Sequence, residues 1–163
     1  MSKKVIGVLT GGGDCPGLNP AIKAVVKKAI ESDFAVMGLK EGWLSLVDTT
    51  IEPITLDRDV VRHIDRQGGT ILGTSRTNPF KVSQGLELVK KRMASLNLSA
   101  VVAIGGEDTL GVAAKLYEQS GLPVVGIPKT IDRDLSYTDY SLGFESALQV
   151  ITDSVDILRS TAE

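Results

Sequence analysis

Two acidic residues, Glu107 and Asp108, directly follow the glycine pair in the stretch VVAIGGEDTLG, residues 101–111. Enzymes that transfer phosphoryl groups use Mg²⁺ to bridge and neutralise phosphate oxygens, and one or two carboxylates usually help to hold that ion. Acidic residues in the first turn of a helix also offset its dipole, and Asp108 followed by Thr109 fits a helix cap. The stretch therefore indicates a magnesium site, a capped helix, or both.

A second charged group lies in IPKTIDRDL, residues 127–135. A carboxylate of this stretch could accept a proton from a substrate hydroxyl, and Lys129 could hold a phosphate as a point charge. A charged loop of this composition is also common on protein surfaces. The stretch indicates either acid–base chemistry on a phosphorylated ligand or a solvated loop.

Two glycine-rich stretches complete the set of candidates. The first is TGGGDCPGLN, residues 10–19. Its backbone N–H groups and the N-terminus of the following helix could bind an anion. Alternatively, it forms a tight turn in which Asn19 caps the helix and Pro20 is the first helical residue. GGTILGTSRTNPF, residues 68–80, carries Arg76, which is suited to bidentate phosphate binding or is a solvated loop residue. Neither stretch has the GxGxxG or GxxxxGK[ST] spacing of the dinucleotide and Walker motifs.

The candidate stretches are connected by a regular alternation of predicted elements. Short apolar runs predict strands, and apolar residues at helical spacing predict helices between them. The predicted strands are 4–9, 34–39, 100–104 and 123–127, and the predicted helices are 19–32, 86–96, 109–119 and 144–158. In the less regular part of the chain, we expect a short strand around 51–54, a helix from Asp57 and the end of a strand at 70–72.

Strands that alternate with helices predict an α/β fold, here a three-layer α/β/α sandwich with a mainly parallel sheet and helices on both faces. In such sheets, ligands bind beyond the carboxyl ends of the strands. The four candidate stretches all follow predicted strands. Together they indicate an enzyme that handles a phosphorylated ligand with Mg²⁺.

Size and composition narrow the class of protein. The chain has 163 residues, which fits one domain, and 42% of them are hydrophobic. A formal net charge of -2 gives no broad basic surface for nucleic acid, and the apolar runs are too short to cross a membrane. Because Cys15 is the only cysteine, an internal disulfide framework and a cysteine-rich metal site are excluded, and a cytoplasmic location is expected.

Four further residues are of types that often bind ligands or catalyse reactions, but here we expect them to have structural or surface roles. His63, the only histidine, is expected to face solvent in the predicted helix, and Trp43 is expected to pack in the interior. Cys15 is expected to be an unreactive packing residue, although a helix N-terminus can lower the pKa of a thiol. Lys81 is expected to be a surface charge.

In order and spacing, four stretches resemble the N-terminal half of the 6-phosphofructokinases: TGGGDCPGLN, GGTILGTSRTNPF, GGEDTLGVA and PKTIDRDLSYTDYSLGFESAL. The resemblance covers nearly the whole chain. It implies a glycolytic enzyme that transfers a phosphoryl group to the 1-hydroxyl of fructose 6-phosphate, with Mg²⁺ as cofactor. It also implies a homo-oligomer in the full-length form, and no nucleic-acid or membrane partner. The larger domain of that family is a three-layer sandwich like the predicted one.

The resemblance assigns three residues to the phosphoryl donor. Gly12 matches the glycine that approaches the donor. Arg76 matches an arginine that binds the donor phosphates and steadies the transferring group. Glu107 matches the acidic position that serves Mg²⁺.

Three more residues match positions on the acceptor side. Asp132 matches the general base that takes the proton from the 1-hydroxyl of the sugar. Thr130 matches a threonine near the transferring phosphoryl group and the sugar. Asp134 matches a second acid of the same loop, which supports sugar or metal binding.

Asp108 and Lys129 bear on which donor is used, because the family uses either ATP or pyrophosphate. ATP-using members typically have glycine at the position of Asp108, whereas pyrophosphate-using members typically have aspartate there and lysine at the position of Lys129. This chain has both residues, so pyrophosphate is the expected donor and ATP is the alternative. On the same resemblance, Lys129 and Arg76 are expected to offset the charge that develops during transfer.

The chain departs from the family pattern at Arg133, where TIDND would have asparagine. The arginine could pair with Asp132 and Asp134 and weaken the base, or it could point into solvent. Family members are also considerably longer, since a second half supplies most contacts to the sugar. We therefore expect residues 1–163 to be an N-terminal phosphoryl-donor-binding domain without the sugar-binding half, with little or no activity alone. A non-catalytic domain that binds phosphate or a partner subunit is a further alternative.

Overall fold

The central sheet of the computed structural model, which describes residues 3–162, has six strands in the order β3-β2-β1-β4-β5-β6. Neighbouring strands are parallel except β2 and β3, which are antiparallel. The strands are β1 (Lys4–Thr10), β2 (Phe34–Leu39), β3 (Ile54–Thr55), β4 (Leu98–Gly105), β5 (Val124–Thr130) and β6 (Leu142–Gly143). The four long strands are those that the apolar runs predict, and the mainly parallel sheet is confirmed.

Five α-helices connect or follow these strands. They are α1 (Leu18–Glu31), α2 (Leu44–Val47), α3 (Gly85–Ser95), α4 (Glu107–Ser120) and α5 (Phe144–Ala162). The four helices that periodicity predicts are α1, α3, α4 and α5, with ends that differ by four residues or fewer. The largest difference is at the end of α5, which extends to Ala162, four residues beyond the predicted end at 158.

The sheet is covered on both faces, which confirms the three-layer arrangement. Val8 and Leu9 are adjacent in β1 and therefore point to opposite faces, yet both are 0% exposed. Val8 packs in a cluster with the apolar face of α1, and Leu9 packs in a second cluster with residues of α2, α3 and α4. Strands buried on both sides read as continuous apolar runs, which explains why β1 and β4 were recognisable in the sequence.

The order of the strands places a crevice at the centre of the sheet. The chain passes from β1 through α1 to β2 on one side, and β4 lies on the other side of β1 and leads into α4. The two helices pack on opposite faces, so their starting loops diverge. In open α/β sheets, ligands bind at such a switch point, beyond the carboxyl ends of the strands.

The irregular part of the chain differs from the prediction. No α-helix begins at Asp57, although its carboxylate accepts hydrogen bonds from the N–H groups of Asp59 and Val60, at 2.9 and 2.8 Å, as a helix cap would. These bonds form a turn, and only a 3₁₀ turn, Ile64–Arg66, follows. The short strand is Ile54–Thr55 rather than 51–54, and residues 70–72 form a turn rather than a strand end.

Within residues 3–162, none of the helices is long and apolar enough to cross a membrane.

Candidate active site

The glycine loop that follows β1 is held close to its neighbours by backbone contacts. The Gly11 N–H donates to the Ile104 carbonyl at 2.9 Å, which ties the loop to β4. Gly12 has a φ of +80°, a left-handed conformation that L side chains rarely adopt. The Lys129 Nζ donates to the Gly13 carbonyl at 2.6 Å. The loop is therefore fixed against the carboxyl ends of both β4 and β5.

Asn19 does not cap α1, so this part of the tight-turn alternative is wrong. The helix begins at Leu18 after Gly17, which is left-handed with a φ of 98° and starts the helix without a side-chain cap. Asn19 is buried, donates from its amide to the Gln67 carbonyl at 3.1 Å and accepts the Ile71 N–H at 2.8 Å. It therefore braces the first glycine-rich stretch against the second.

The loop that carries Arg76 lies beside the glycine loop. The Ser75 hydroxyl donates to the Glu41 carbonyl at 2.6 Å, and the Ser75 carbonyl accepts the Gly12 N–H at 3.4 Å. The Arg76 side chain is exposed. It lines a pocket of about 320 Å³, which we call the arginine pocket. The other residues of this pocket that matter below are Gly12, Trp43, Lys81 and Asp108.

The start of α4 presents two acids because the next residue is packed inward. Gly106 precedes the helix, and neither Asp108 nor Thr109 forms a side-chain cap, but Glu107 and Asp108 lie in the first turn, where acids offset the helix dipole. Of the capping alternative, only the dipole part is therefore present. Thr109 is 5% exposed, and a Cβ placed on Gly105 would lie 2.5 Å from its Cβ. The glycine at 105 therefore makes room for Thr109. With Thr109 buried, Glu107 and Asp108 are left exposed on the pocket side.

Trp43 packs rather than presenting its ring to solvent, as predicted. It is 2% exposed, and its indole Nε1 donates to the Thr109 carbonyl at 3.3 Å. The ring closes the back of the arginine pocket. It thereby joins the segment after β2 to the first turn of α4.

Lys129 is the most buried charged residue of the site, at 5% exposed. Its ammonium group has three N–H donors, and in the described part of the chain only the Gly13 carbonyl accepts from it. Lys129 lines a second pocket of about 370 Å³, the lysine pocket, together with Glu107, Asp108, Asp132 and Asp134. A buried cation with unused donors favours an anionic ligand.

The loop after β5 is organised around Thr130, which is 8% exposed. Its hydroxyl donates to Asp134 Oδ1 at 2.7 Å and accepts the backbone N–H of Asp132 at 3.0 Å. Arg133 has a left-handed φ of 54°, and its guanidinium lies over the Phe144 ring, 5.4 Å from the centroid. Among the described ion pairs there is none between Arg133 and either acid, so the ion-pair alternative is not what the structure shows.

Cys15 lies between the glycine loop and β6. It is 3% exposed, and its Sγ donates to the Leu142 carbonyl at 3.4 Å. Burial raises the pKa of the Cys15 thiol, an effect that nearby Lys129 opposes and Asp14 reinforces. A buried thiol with a raised pKa is a poor nucleophile, in agreement with the predicted packing role.

The residues nominated from the sequence all line one of the two pockets: Gly12, Arg76, Glu107, Asp108, Lys129, Thr130, Asp132 and Asp134. The pockets share a wall, which Asp108 and Gly12 help to form. Lys81, expected to be a surface charge, is exposed but lines the arginine pocket. His63 is exposed and lines neither pocket.

Sequence reasoning missed two supporting residues, Asn19 as a brace and Thr109 as the packed residue behind the acids. The only sequence signal for the packed position of Thr109 is the pair of glycines before it, since Gly105 leaves room for the Thr109 side chain.

Comparison with known proteins shows which family has this arrangement. The sequence profile of the family described as "Phosphofructokinase" matches residues 5–163. The chain belongs to the phosphofructokinase family. The resemblance stated from the four sequence stretches is therefore confirmed.

Curated relatives of this phosphofructokinase-family chain have names that point to two donors. The chain is 53% identical over 162 residues to the pyrophosphate–fructose 6-phosphate 1-phosphotransferase of Dictyoglomus thermophilum, covering 99% of this chain and 46% of the relative. It is 46% identical to the ATP-dependent 6-phosphofructokinase 3 of Streptomyces coelicolor, covering 97% of this chain and 46% of the relative. The chain thus spans about half the length of the curated relatives it matches.

A solved structure supports the same fold. The phosphofructokinase of Pichia pastoris matches this chain with a TM-score of 0.85 and 31% sequence identity, covering 96% of this chain and 18% of the other.

Proposed function

We propose that this chain is the phosphoryl-donor-binding part of a pyrophosphate-dependent 6-phosphofructokinase. Such an enzyme moves one phosphoryl group from pyrophosphate to the 1-hydroxyl of fructose 6-phosphate, giving fructose 1,6-bisphosphate and phosphate. One observation carries the choice of donor: Asp108 lies in the wall shared by the two pockets, while Lys129 is buried in one of them with unused N–H donors.

Asp108 limits how far a phosphate chain can extend. A donor held at Lys129 would have to pass the Asp108 carboxylate to enter the arginine pocket. Two unit charges about 4 Å apart repel by about 4 kcal/mol at an effective dielectric constant of 20. Pyrophosphate can stay on the lysine side, whereas the α-phosphate and nucleoside of ATP would need the space beyond Asp108.

Lys129 balances the compact charge of pyrophosphate. Burying an ammonium group costs about several kcal/mol of lost hydration, unless an anion compensates the charge. The Gly13 carbonyl compensates only part of this cost, because it accepts one N–H of three. A phosphate oxygen can accept another. Arg76, which lines the adjoining arginine pocket, can add further donors from that side.

The acids of the lysine pocket supply the proton acceptor. In the proposed reaction the 1-hydroxyl oxygen of the sugar attacks the nearer phosphorus of pyrophosphate in line. Asp132 takes the hydroxyl proton, and the bond between that phosphorus and the bridging oxygen breaks, releasing phosphate. Lys129 and Arg76 stabilise the charge on the transferring group. Asp134 is held 2.7 Å from the Thr130 hydroxyl, beside the base.

The carboxylates of this pocket also fit Mg²⁺, the cofactor that we propose. Within residues 3–162, no group of three or more His, Cys, Asp or Glu side chains is arranged to hold a metal by itself. Mg²⁺ usually needs only one or two carboxylates when phosphate oxygens and water complete its coordination, and Glu107 is exposed at the pocket edge for that role. When bound, Mg²⁺ would neutralise charge on the phosphate oxygens.

The relatives support the proposal without deciding the donor. Proteins named for pyrophosphate share 53% and 50% identity with this chain, and one named for ATP shares 46%. We propose the fructose 6-phosphate site and a homo-oligomer only for a protein as long as those relatives, of which this chain covers 46%. We expect little or no turnover from residues 1–163 alone.

Titration calorimetry with pyrophosphate and with ATP, each with Mg²⁺, tests the proposal on this chain. We expect pyrophosphate to bind more tightly than ATP. Lys129→Met should weaken pyrophosphate binding at least about tenfold, because a charge-assisted hydrogen bond contributes about 1.5–3 kcal/mol. Asp108→Gly should improve ATP binding relative to pyrophosphate. Lys115→Met removes a lysine of α4 that lies over Phe80 and lines neither pocket, so it is the matched control.

Tighter binding of ATP than of pyrophosphate by the unmodified chain would favour an ATP-dependent enzyme. An equal loss of affinity in the two lysine variants would show that binding is nonspecific. Binding of neither donor would favour a non-catalytic domain.

A further inference from the structure

Thr10 is a buried polar residue at the end of β1 that has no role in the proposed reaction. It is 0% exposed and lines neither pocket, although Gly12, two residues later, lines both. A buried hydroxyl needs hydrogen-bond partners, because the loss of its hydration is otherwise uncompensated. The partners of the Thr10 hydroxyl, Thr70 and Gly73, both belong to the stretch that carries Arg76.

The direction of each hydrogen bond at Thr10 follows from the hydrogens available. Its hydroxyl lies 2.7 Å from the carbonyl oxygen of Gly73, which has no hydrogen, so Thr10 donates its single proton there. The Thr70 hydroxyl, 2.9 Å away, must then donate to Thr10. Thr70 in turn accepts the Leu72 N–H at 3.1 Å. The two hydroxyls therefore form one directed chain of hydrogen bonds, in which both hydroxyl hydrogens are used.

The same stretch is held a second time by Glu41, which follows β2. The Glu41 N–H donates to the Leu72 carbonyl at 2.8 Å, and the Glu41 carbonyl accepts the Ser75 hydroxyl at 2.6 Å. Residues 70–75 are thus fastened to the end of β1 through Thr10 and to the segment after β2 through Glu41. Both fastenings come directly before Arg76.

Arg76 depends on these fastenings for its position. Its side chain is exposed, and within residues 3–162 it takes part in no ion pair and no side-chain hydrogen bond. The reach of the guanidinium is therefore determined by where the backbone of its loop lies. Bidentate hydrogen bonds to phosphate require a specific geometry, and a displacement of about 1 Å is enough to weaken such an arrangement strongly.

We propose that Thr10 is a positioning residue for the donor site, whose hydroxyl, together with that of Thr70, fixes the loop of Arg76 at the distance from the glycine loop that lets Arg76 reach a donor phosphate. The proposal rests on the proposed function in one respect, since it takes Arg76 as a ligand of the donor. Thr10, Thr70 and Gly73 line neither pocket, so a donor in the pockets does not replace any partner in the chain of hydrogen bonds.

Two variants separate the hydroxyl from the rest of the side chain, because Thr10→Val removes it and keeps the branched shape, whereas Thr10→Ser keeps it. Amide exchange with water, measured by NMR on the ¹⁵N-labelled chain without ligand, shows whether the loop is loosened. The informative amide is that of Glu41, whose partner is the Leu72 carbonyl rather than Thr10. We expect Thr10→Val to accelerate its exchange at least about fivefold, and Thr10→Ser to stay within about twofold.

A double-mutant cycle, measured as calorimetric affinity for Mg²⁺-pyrophosphate, tests whether Thr10 acts through Arg76. Thr10→Val should weaken binding about threefold to tenfold in the unmodified chain, and by less than about twofold once Arg76→Met has removed the guanidinium. In a Lys129→Met background the full loss should remain. A general loosening of the chain would instead weaken binding equally in both backgrounds.

A matched control separates positioning from lost stability. Val26→Ala shortens a side chain of α1 that is 0% exposed and lines neither pocket. It should lower the urea midpoint and leave the affinity for Mg²⁺-pyrophosphate within about twofold. If urea unfolding shows that Thr10→Val does not fold, Thr70→Val breaks the same chain of hydrogen bonds from its other end and takes its place.

The positioning role is overturned if Glu41 exchanges at the unmodified rate in Thr10→Val, or if Thr10→Ser behaves as Thr10→Val does. It is also overturned if Thr10→Val loses as much affinity in the Arg76→Met background as in the unmodified chain. Failure of the unmodified chain to bind Mg²⁺-pyrophosphate would instead refute the proposed function. The exchange comparison needs no ligand and would still decide whether Thr10 holds the loop.

Discussion

Helices α4 and α5 have similar sequence patterns and very different surroundings. α4 directly follows β4, whereas α5 follows β5 after the loop that carries Asp132 and Asp134 and the short strand β6. Each helix has apolar side chains at helical spacing. α4 buries Thr109, Val112, Ala113 and Leu116. None of residues 144–162 is buried in α5. The amphipathic pattern therefore identifies which face of a helix is apolar, but not whether anything packs against that face.

The same contrast separates the two sides of the candidate site. The start of α4 is fixed by Thr109 and by the Trp43 hydrogen bond, so Glu107 and Asp108 are presented by a packed helix. Between Thr130 and Gly143, which are both buried, the residues that lead toward α5 are exposed or only partly buried. The side that we propose for the phosphoryl donor is held by packing within this chain, whereas few contacts within the described residues hold the side that we propose for the acceptor.

The largest expected effect is a difference between two leucines. Leu116 of α4 is 0% exposed and Leu158 of α5 is 67% exposed. Leu116→Ala should lower the free energy of unfolding by about 2–5 kcal/mol, because it leaves a cavity. Leu158→Ala should change it by less than about 0.5 kcal/mol. Urea denaturation of both variants measures this, and equal losses would mean that α5 is packed in solution.

Two glycines near α4 sharpen the same comparison. A Cβ on Gly105 would lie 2.5 Å from Thr109 Cβ, whereas nothing lies within 4 Å of a Cβ on Gly111. Gly105→Ala should therefore destabilise the chain by about 1–3 kcal/mol through overpacking. Gly111→Ala, inside the same helix, should stabilise it by up to about 1 kcal/mol. Thermal or urea unfolding gives both values, and a neutral Gly105→Ala would show that the Thr109 contact is looser than described.

Cys15 tests how closely the glycine loop packs against the strand that precedes α5. Because burial raises the pKa of the Cys15 thiol, alkylation by iodoacetamide at pH 8 should be at least about tenfold slower in the folded chain than in urea. Lys129→Met removes the charge that lowers this pKa and should slow alkylation further. Equal rates in the folded and unfolded chain would show that the loop opens readily.

The direction of the Cys15 shift also sets a pH dependence. The folded chain favours the neutral thiol, so this contribution to stability is fully present below the pKa of the unfolded thiol and is lost as the pH rises through the folded pKa. The urea midpoint of the unmodified chain should fall more at alkaline pH than that of Cys15→Ala. Parallel curves would mean that the thiol does not contribute.

The smallest expected effect concerns Arg133. Asparagine adopts the left-handed conformation of this residue more readily than arginine does, but it would lose the contact with the Phe144 ring. A cation–π contact at an exposed site contributes about 0.5–1 kcal/mol, so the two effects of Arg133→Asn should nearly cancel. Alanine is no better suited than arginine to the left-handed conformation, and it also loses the contact with the Phe144 ring. Arg133→Ala should therefore be the less stable of the two variants.

Much of the fold was predictable because its signals are local. Apolar runs such as VVAIG mark strands that are buried on both faces, and the spacing of Leu86, Val89 and Met93 marks a helix. Asp57 was misassigned because a carboxylate that begins a helix and one that closes a turn accept the same backbone N–H groups.

The candidate site was predictable as a set of strand ends, and the family model confirms the resemblance that the four stretches carry. The roles of its supporting residues were not predictable. Asn19 has the residue type of a cap, but its partners are 48 and 52 residues away in the chain. Thr109 looked like part of a cap, yet it is the buried residue that leaves Glu107 and Asp108 facing the pocket.

The sequence by itself determined the class of fold, the order of its strands and helices, the family, and the residues that can carry charge or accept a proton. The tertiary structure alone decided that β1 and β4 are neighbours, that Asp108 lines both pockets, that Lys129 is buried with unused donors, and that the Thr130 hydroxyl donates to Asp134. The physical reason is range: periodicity and capping act within a few residues along the chain, whereas burial and hydrogen-bond partners depend on residues that only folding brings together.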